Sequence, residues 1–336
     1  MYQLKVADHS HVTKVQQIVN SIVKDIDAGK LKKEERLPSI NQFSEQHSVA
    51  RDTIEKAYKQ LRRQGYIASF PGRGYFVLGN SRRQLKVLLI FNKLSSYKKT
   101  VYESFLQSLG GKAKVDLQIH HYDPRILKEI LQECLGKYDY YVIMPHFVST
   151  AKEKEYVDVI KMVPAHELIV LDKALPQFLS SYRAVYQDFK NDIYEALCTS
   201  HSLIRKYKSI TLVLPEEIHH PKEIAEGIAV FCEEQKLPFC IMDNIGSEML
   251  RMHTVYIVTD EDNLARLLKK SRELDFALGK DIGIISFNET VFKELLDITV
   301  ITTDFAAMGK TAARLVLGKE CEQIKNPFYV INRGSL

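Results

Sequence analysis

Apolar residues at Val15, Ile18, Val19, Ile22, Val23 and Ile26 recur with the i, i+3, i+4, i+7 spacing of one helix face. The stripe predicts a helix over residues 13–28, closed by Gly29. After a charged turn comes Leu37-Pro38-Ser39, where the Ser39 hydroxyl suits the N-cap of a short second helix, accepting from amides that have no intrahelical partner. A third helix follows, with Ile54, Ala57, Tyr58 and Leu61 inward and Arg51, Asp52, Thr53, Glu55, Lys56 and Lys59 outward, ending at Gly65. Residues 66–70 and 74–78 then read as two short strands joined by Pro71-Gly72-Arg73. Three helices and a hairpin in about 70 residues predict a winged helix-turn-helix. In that arrangement a helix presents its N-terminal polar side chains to the major groove, and the wing tip reaches a neighbouring groove or phosphates. A packing module that carries no DNA is the alternative reading of the same periodicity.

Beyond a polar linker at residues 80–86 the pattern changes. Strand-like runs at 86–91, 115–122, 140–144 and 168–172 alternate with amphipathic stretches, and the alternation restarts at 210–214, 239–242, 254–258 and 282–287. Such a βα repeat predicts an α/β body of two parallel-sheet lobes. The longest apolar runs, 87–91 and 140–145, have the length of buried strands and fall far short of the roughly 20 residues that cross a bilayer. No Walker A loop, GxGxxG after a strand or GxSxG elbow occurs, so nucleotide-binding and hydrolase signatures are missing.

Charge sharpens this picture. Of 47 Lys+Arg and 42 Asp+Glu in 336 residues, residues 1–80 hold 13 against 8, so the net charge of +5 sits wholly in the first quarter of the chain. A basic module on a neutral body points to a polyanion partner, although a solvated basic face would give the same imbalance. The first ten residues lack the apolar run of a signal peptide, so a cytoplasmic protein is expected. Five cysteines (134, 198, 232, 240, 321) form no metal-binding spacing and sit among apolar neighbours in the sequence, so reduced core cysteines and no metal site are expected.

Residues 36–77, RLPSINQFSEQHSVARDTIEKAYKQLRRQGYIASFPGRGYFV, resemble the DNA-binding domain of GntR-family transcription regulators. Leu37, Pro38, Ser39, Val49, Arg51, Thr53, Ala57, Leu61, Gly65, Gly72, Gly74, Phe76 and Val77 match the family pattern in register. The resemblance implies DNA contacts from Arg51 and Thr53 at the start of the recognition helix, with Ser39, Asn41, Asp52, Lys56, Gly72 and Arg73 as further candidates. Asn41 stands where many members have arginine, Ala50 where serine or threonine is common, and Asp52 adds an acid beside Arg51.

The rest resembles the effector domain of LacI-family repressors, which are similar to periplasmic sugar-binding proteins. The resemblance is carried by DIGIISFNET (281–290), ITVITTDFAAMGKTAARLVLG (298–318) and YVINRGSL (329–336). It implies two Rossmann-like lobes joined by three crossovers, with a ligand in the cleft at the strands' carboxyl ends. Asp172 matches the family's first-lobe acid for sugar hydroxyls, while Asn288 and Asp260 match second-lobe positions. Ile224 stands where the family has arginine, and His219, His220, Lys222 and Glu223 are the candidates to replace it. Tyr97, Lys98 and His146 follow predicted strands and complete the candidate pocket, although Asp188 and Asp260 also suit helix caps.

The expected organisation is a DNA-binding domain at 1–79, a linker at 80–86 and a two-lobed effector and dimerisation domain at 87–336. The expected function is a cytoplasmic homodimer on double-stranded operator DNA, controlled by a small polar effector, a sugar in the first instance, with no enzymatic activity, cofactor or membrane partner. A sugar phosphate or non-sugar metabolite as effector and a sugar-binding protein without DNA function are the alternatives. An aminotransferase-like body, found in some GntR proteins, needs about a hundred more residues than 336.

Overall fold

The computed structural model describes residues 12–78, 84–148, 151–175, 181–215, 221–246, 250–318 and 320–336. The first segment folds as α1 (Lys14–Asp27), β1 (Arg36–Leu37), α2 (Ile40–His47), α3 (Arg51–Arg63), β2 (Ile67–Phe70) and β3 (Gly74–Val77), with strand order β1-β3-β2. Its core joins the predicted stripe of α1 to Phe43, Ile54, Leu61 and Val77. The N-cap forms as expected: Ser39 Oγ accepts from Gln42 N at 3.2 Å, and Gln42 Oε1 accepts from Ser39 N at 3.1 Å. Gly72 and Gly74 close the wing turn with φ of 71° and 98°, in the left-handed region that favours glycine.

Lobe one contains β4 (Leu85–Phe91), α4 (Ser96–Leu109), β5 (Ala113–Ile119), α5 (Pro124–Cys134), β6 (Tyr140–Ile143), α6 (Glu153–Ile160), β7 (Leu168–Lys173) and β8 (Arg183–Gln187). Lobe two contains α7 (Phe189–Thr199), α8 (His201–Ile204), β9 (Ser209–Val213), α9 (Glu223–Gln235), β10 (Phe239–Met242), β11 (Thr254–Val258), α10 (Glu261–Glu273), β12 (Gly283–Phe287), α11 (Val291–Leu295) and β13 (Thr299–Thr303). The chain then returns to lobe one as α12 (Phe305–Leu317), packed on α4, and β14 (Gln323–Lys325), parallel to β8. It ends in lobe two as β15 (Phe328–Ile331), antiparallel to β13. Sheet orders are β14-β8-β7-β6-β4-β5 and β10-β9-β11-β12-β13-β15, every pairing parallel except β13 with β15. The lobes are thus joined by three crossovers, after Gln187, after Thr303 and after β14.

Two expectations change. Leu85 and Lys86, placed in the linker from sequence, already pair with Ala113 and Lys114 inside β4. The cysteines are free thiols, but Cys198, Cys240 and Cys321 are exposed and only Cys232 is buried. Cys240 lies on β10 at the edge of its sheet, where an apolar neighbour in sequence does not mean a neighbour across a core.

Candidate DNA-reading face and interlobe site

At the start of α3, Arg51, Asp52 and Lys56 are exposed and Thr53 half-exposed. Lys56 pairs with Asp52 at 2.7 Å one turn away, so part of the acid's charge is answered within the helix. Ala50 provides no side-chain cap, which leaves the first amides of α3 without one. Ser39 and Asn41 are exposed at the start of α2, and Gly72 and Arg73 are exposed at the wing tip. Phe70, 48% exposed, packs edge-on against Phe76 beside that tip.

Among the ligand candidates, the fold brings Lys98, His146 and Asp172 together at the carboxyl ends of the lobe-one strands. Asp172 is buried and holds a left-handed backbone, φ 76°. One of its carboxylate oxygens accepts from His146 Nε2 at 2.7 Å and lies 3.9 Å from Lys98 Nζ; the other accepts from Gln187 Nε2. Burial alone would raise this carboxyl, but His146, Lys98 and Gln187 together hold it well below the usual carboxylate range. Burial in turn pulls the Lys98 ammonium down, against the attraction of Asp172. The nearest acceptor to Lys98 is the thioether of Met144 at 3.0 Å, a poor partner for an ammonium.

The other candidates lie apart from this cluster. Tyr97 crosses the cleft, its hydroxyl donating to Glu261 Oε1 on lobe two at 2.7 Å while its ring stacks on Phe305 at 5.2 Å. Asp260 caps α10, accepting from Asn263 N at 2.8 Å and Asn263 Nδ2 at 2.9 Å, and Asp188 caps α7. Asn288, φ 64°, gives its carbonyl to the buried Lys293 at 3.0 Å. Lys222 is exposed beside the start of α9, and His219 and His220 lie outside the described residues.

Sequence reasoning missed Gln187, Thr303, Glu261, Lys293 and His120. The Gln187 amide joins two crossovers, since Nε2 donates to Asp172 while Oε1 accepts from Thr303 Oγ1. Lys293, 2% exposed, fixes the end of β12 through the Phe287 and Asn288 carbonyls and reaches Glu261 at 3.4 Å. His120, fully buried, has Nε2 at 3.0 Å from the Met144 carbonyl, so Nε2 carries the proton. A cavity of about 740 Å³ between α5 and α6 contains none of the sequence candidates.

Burial pulls the His120 pKa down to about 4. The unfolded chain, with an ordinary value near 6.5, then binds more protons below that pH than the native chain does. Stability from this group is therefore lost as pH falls from about 6.5 towards 4. Urea midpoints are expected to drop across that window, and less so in His120→Gln; the same drop in both proteins contradicts the assignment.

Residues 14–77 match the family of bacterial regulatory proteins, gntR family. The N-terminal module is a GntR-family helix-turn-helix domain. The chain is 31% identical over 124 residues to the HTH-type transcriptional regulator TreR of Bacillus subtilis, covering 37% of this chain and about half, 48%, of that relative. Behind the GntR-family domain, the two-lobed body has the fold of LacI-type repressors. The trehalose repressor from Escherichia coli superposes with a TM-score of 0.58 at 17% identity, covering 74% of this chain and all of that one. A lac repressor dimer bound to operator and an anti-inducer superposes at 0.59 and 14%, covering 88% and 94%. Among the described residues no helix is long and apolar enough to cross a membrane.

Proposed function

We propose that this chain is a cytoplasmic transcription regulator that binds operator DNA through its GntR-family domain and takes a small polar effector, a sugar in the first instance, between the lobes. The observation that carries the reading is the Asp172–Gln187–Thr303 chain, which ties the polar cluster of lobe one to two of the three crossovers. A ligand that draws on this cluster favours one lobe arrangement over another, and only such a difference can shift DNA affinity. The bonds within the cluster suggest a role for each residue. Asp172 accepts from His146 and Gln187 with one oxygen each, which orients it and leaves further lone pairs for ligand hydroxyls. Lys98, facing a thioether, also meets ligand oxygens, while Tyr97, its hydroxyl donated to Glu261, lines the mouth. Lys98 accommodates a phosphorylated sugar as readily as a neutral one. Thermal-shift screening of sugars and sugar phosphates tests this, a true ligand stabilising by about 2.7 kcal/mol at a hundredfold excess over Kd. Gel shifts with promoter fragments at two salt concentrations test the DNA function, because phosphate contacts make binding fall steeply with salt. Binding to sugars without binding to DNA would leave a pure receptor.

The same reading requires two copies, since one winged helix spans few base pairs and a two-fold pair doubles the read-out. The face suited to pairing is α11, where Val291, Phe292 and Leu295 are 69%, 77% and 74% exposed side by side. Adjacent apolar side chains this exposed suit a protein–protein contact. Phe292→Asp combined with Leu295→Asp is expected to give a monomer by sedimentation and to weaken operator binding at least tenfold. A wild-type chain that sediments as a monomer, free and on DNA, contradicts the pairing.

A further inference from the structure

The apolar stripe of α1 is used up inside the winged helix, which leaves Gln16, Asn20, Lys24 and Asp27 on the opposite, polar side. That side runs along lobe one. Gln16 presses on the turn between α5 and β6: a Cβ on Gly136 would stand 2.8 Å from Gln16 Cγ and 3.1 Å from Val12 Cγ1. Gly136 has φ 75°, so both its backbone and this approach call for glycine. Two turns further along, the charge of Lys24 acts on His166 and Glu167 of lobe one, and that of Asp27 on Tyr140. The Gln16 amide is held on its other side within the winged helix. Its Nε2 donates to Asn20 Oδ1 at 2.8 Å, and its Oε1 accepts from Gln60 Nε2 of α3 at 2.9 Å. One side chain therefore touches both lobe one and the helix that carries Arg51. Gln60 lies in the C-terminal half of α3, so the contact leaves the exposed N-terminal end free.

We propose that the polar face of α1 is a docking surface for lobe one, and that Gln16 passes the position of the Gly136 turn to α3. The inference rests on α3 as the DNA-contacting helix. Docking fixes the orientation of α3 in advance and so removes a cost that DNA binding would otherwise meet. Lobe movement then reaches the DNA-reading helix through a packed contact.

An ideal Cβ at Gly136 lies 3.7 Å from Gln16 Cβ, within the range a disulfide spans. The test is the full chain carrying Gln16→Cys and Gly136→Cys, with Cys198, Cys240 and Cys321 changed to Ser, oxidised with diamide. Most of the protein is expected to cross-link within the chain, and the oxidised form to bind a selected operator duplex at least fivefold more tightly than the reduced form. Failure to cross-link, or affinities within twofold, overturns the proposal. Binding by the reduced form tests the DNA function separately. Should the cysteine at Gly136 prevent folding, Gly136→Asn serves instead, because asparagine tolerates this backbone. It is expected to weaken operator binding at least threefold in the wild-type background and not in Gln16→Ala; equal effects in both backgrounds overturn the proposal.

Discussion

Asp172→Ala is expected to cost about 3–5 kcal/mol of stability, the usual penalty for removing one partner of a buried charge pair. Lys98 and His146 both lose the carboxylate they face, and the Gln187 amide loses its acceptor next to a crossover. The left-handed backbone adds strain for alanine that aspartate and asparagine largely escape. Asp172→Asn should therefore be milder, keeping the backbone while exchanging one acceptor for a donor. Operator binding should persist under conditions where the variant stays folded, because α3 is untouched, while the response to effector disappears. Urea denaturation reads the first effect and operator titration the second. A loss below about 1 kcal/mol, or a wild-type response, would show that Asp172 does not organise the pocket.

Arg51→Ala is expected to weaken operator binding by roughly 1–3 kcal/mol, the range for a side chain that reads a base edge, with ligand binding unchanged. Arg51 is exposed at the first residue of α3, in the geometry by which recognition helices enter a groove. Arg73 at the wing tip should behave differently. Its replacement is expected to lower affinity across all sequences and to flatten the salt dependence, as loss of a phosphate contact does. Fluorescence titrations against matched and scrambled duplexes at several salt concentrations separate the two roles. An Arg51 variant with wild-type affinity removes that residue from the interface.

The winged helix was legible because its signals are local: the α1 stripe, the Ser39 cap and the glycines of the wing. The two-residue β1 was not, since nothing but its pairing with β3 defines it. In the body, runs of β-branched and apolar residues marked most strands, yet no local pattern tells that α12 leaves lobe two to pack on α4. The pocket followed the same rule. Lys98 and His146 could be named because each follows a strand of a parallel sheet, where ligands gather, and Asp172, near the end of β7, because it matches the acid of the LacI family. That Asp172 would be answered from within the protein depends on Gln187 and Thr303, which are 116 residues apart and meet only where two crossovers run side by side. Asp260 shows the reverse: its sequence allows a ligand or a helix cap, and the bond to Asn263 N gives the cap.

Occupancy of the cleft is expected to alter DNA binding, a coupling open to measurement. Its most direct test is the operator dissociation constant of the full chain, measured by fluorescence anisotropy at fixed salt, with and without a saturating concentration of whichever sugar or sugar phosphate stabilises the protein. A coupling of about 1–3 kcal/mol, a change of roughly 5- to 150-fold in operator affinity, is the expected result. An affinity that stays within twofold while the ligand is demonstrably bound would show that the cleft does not control DNA binding.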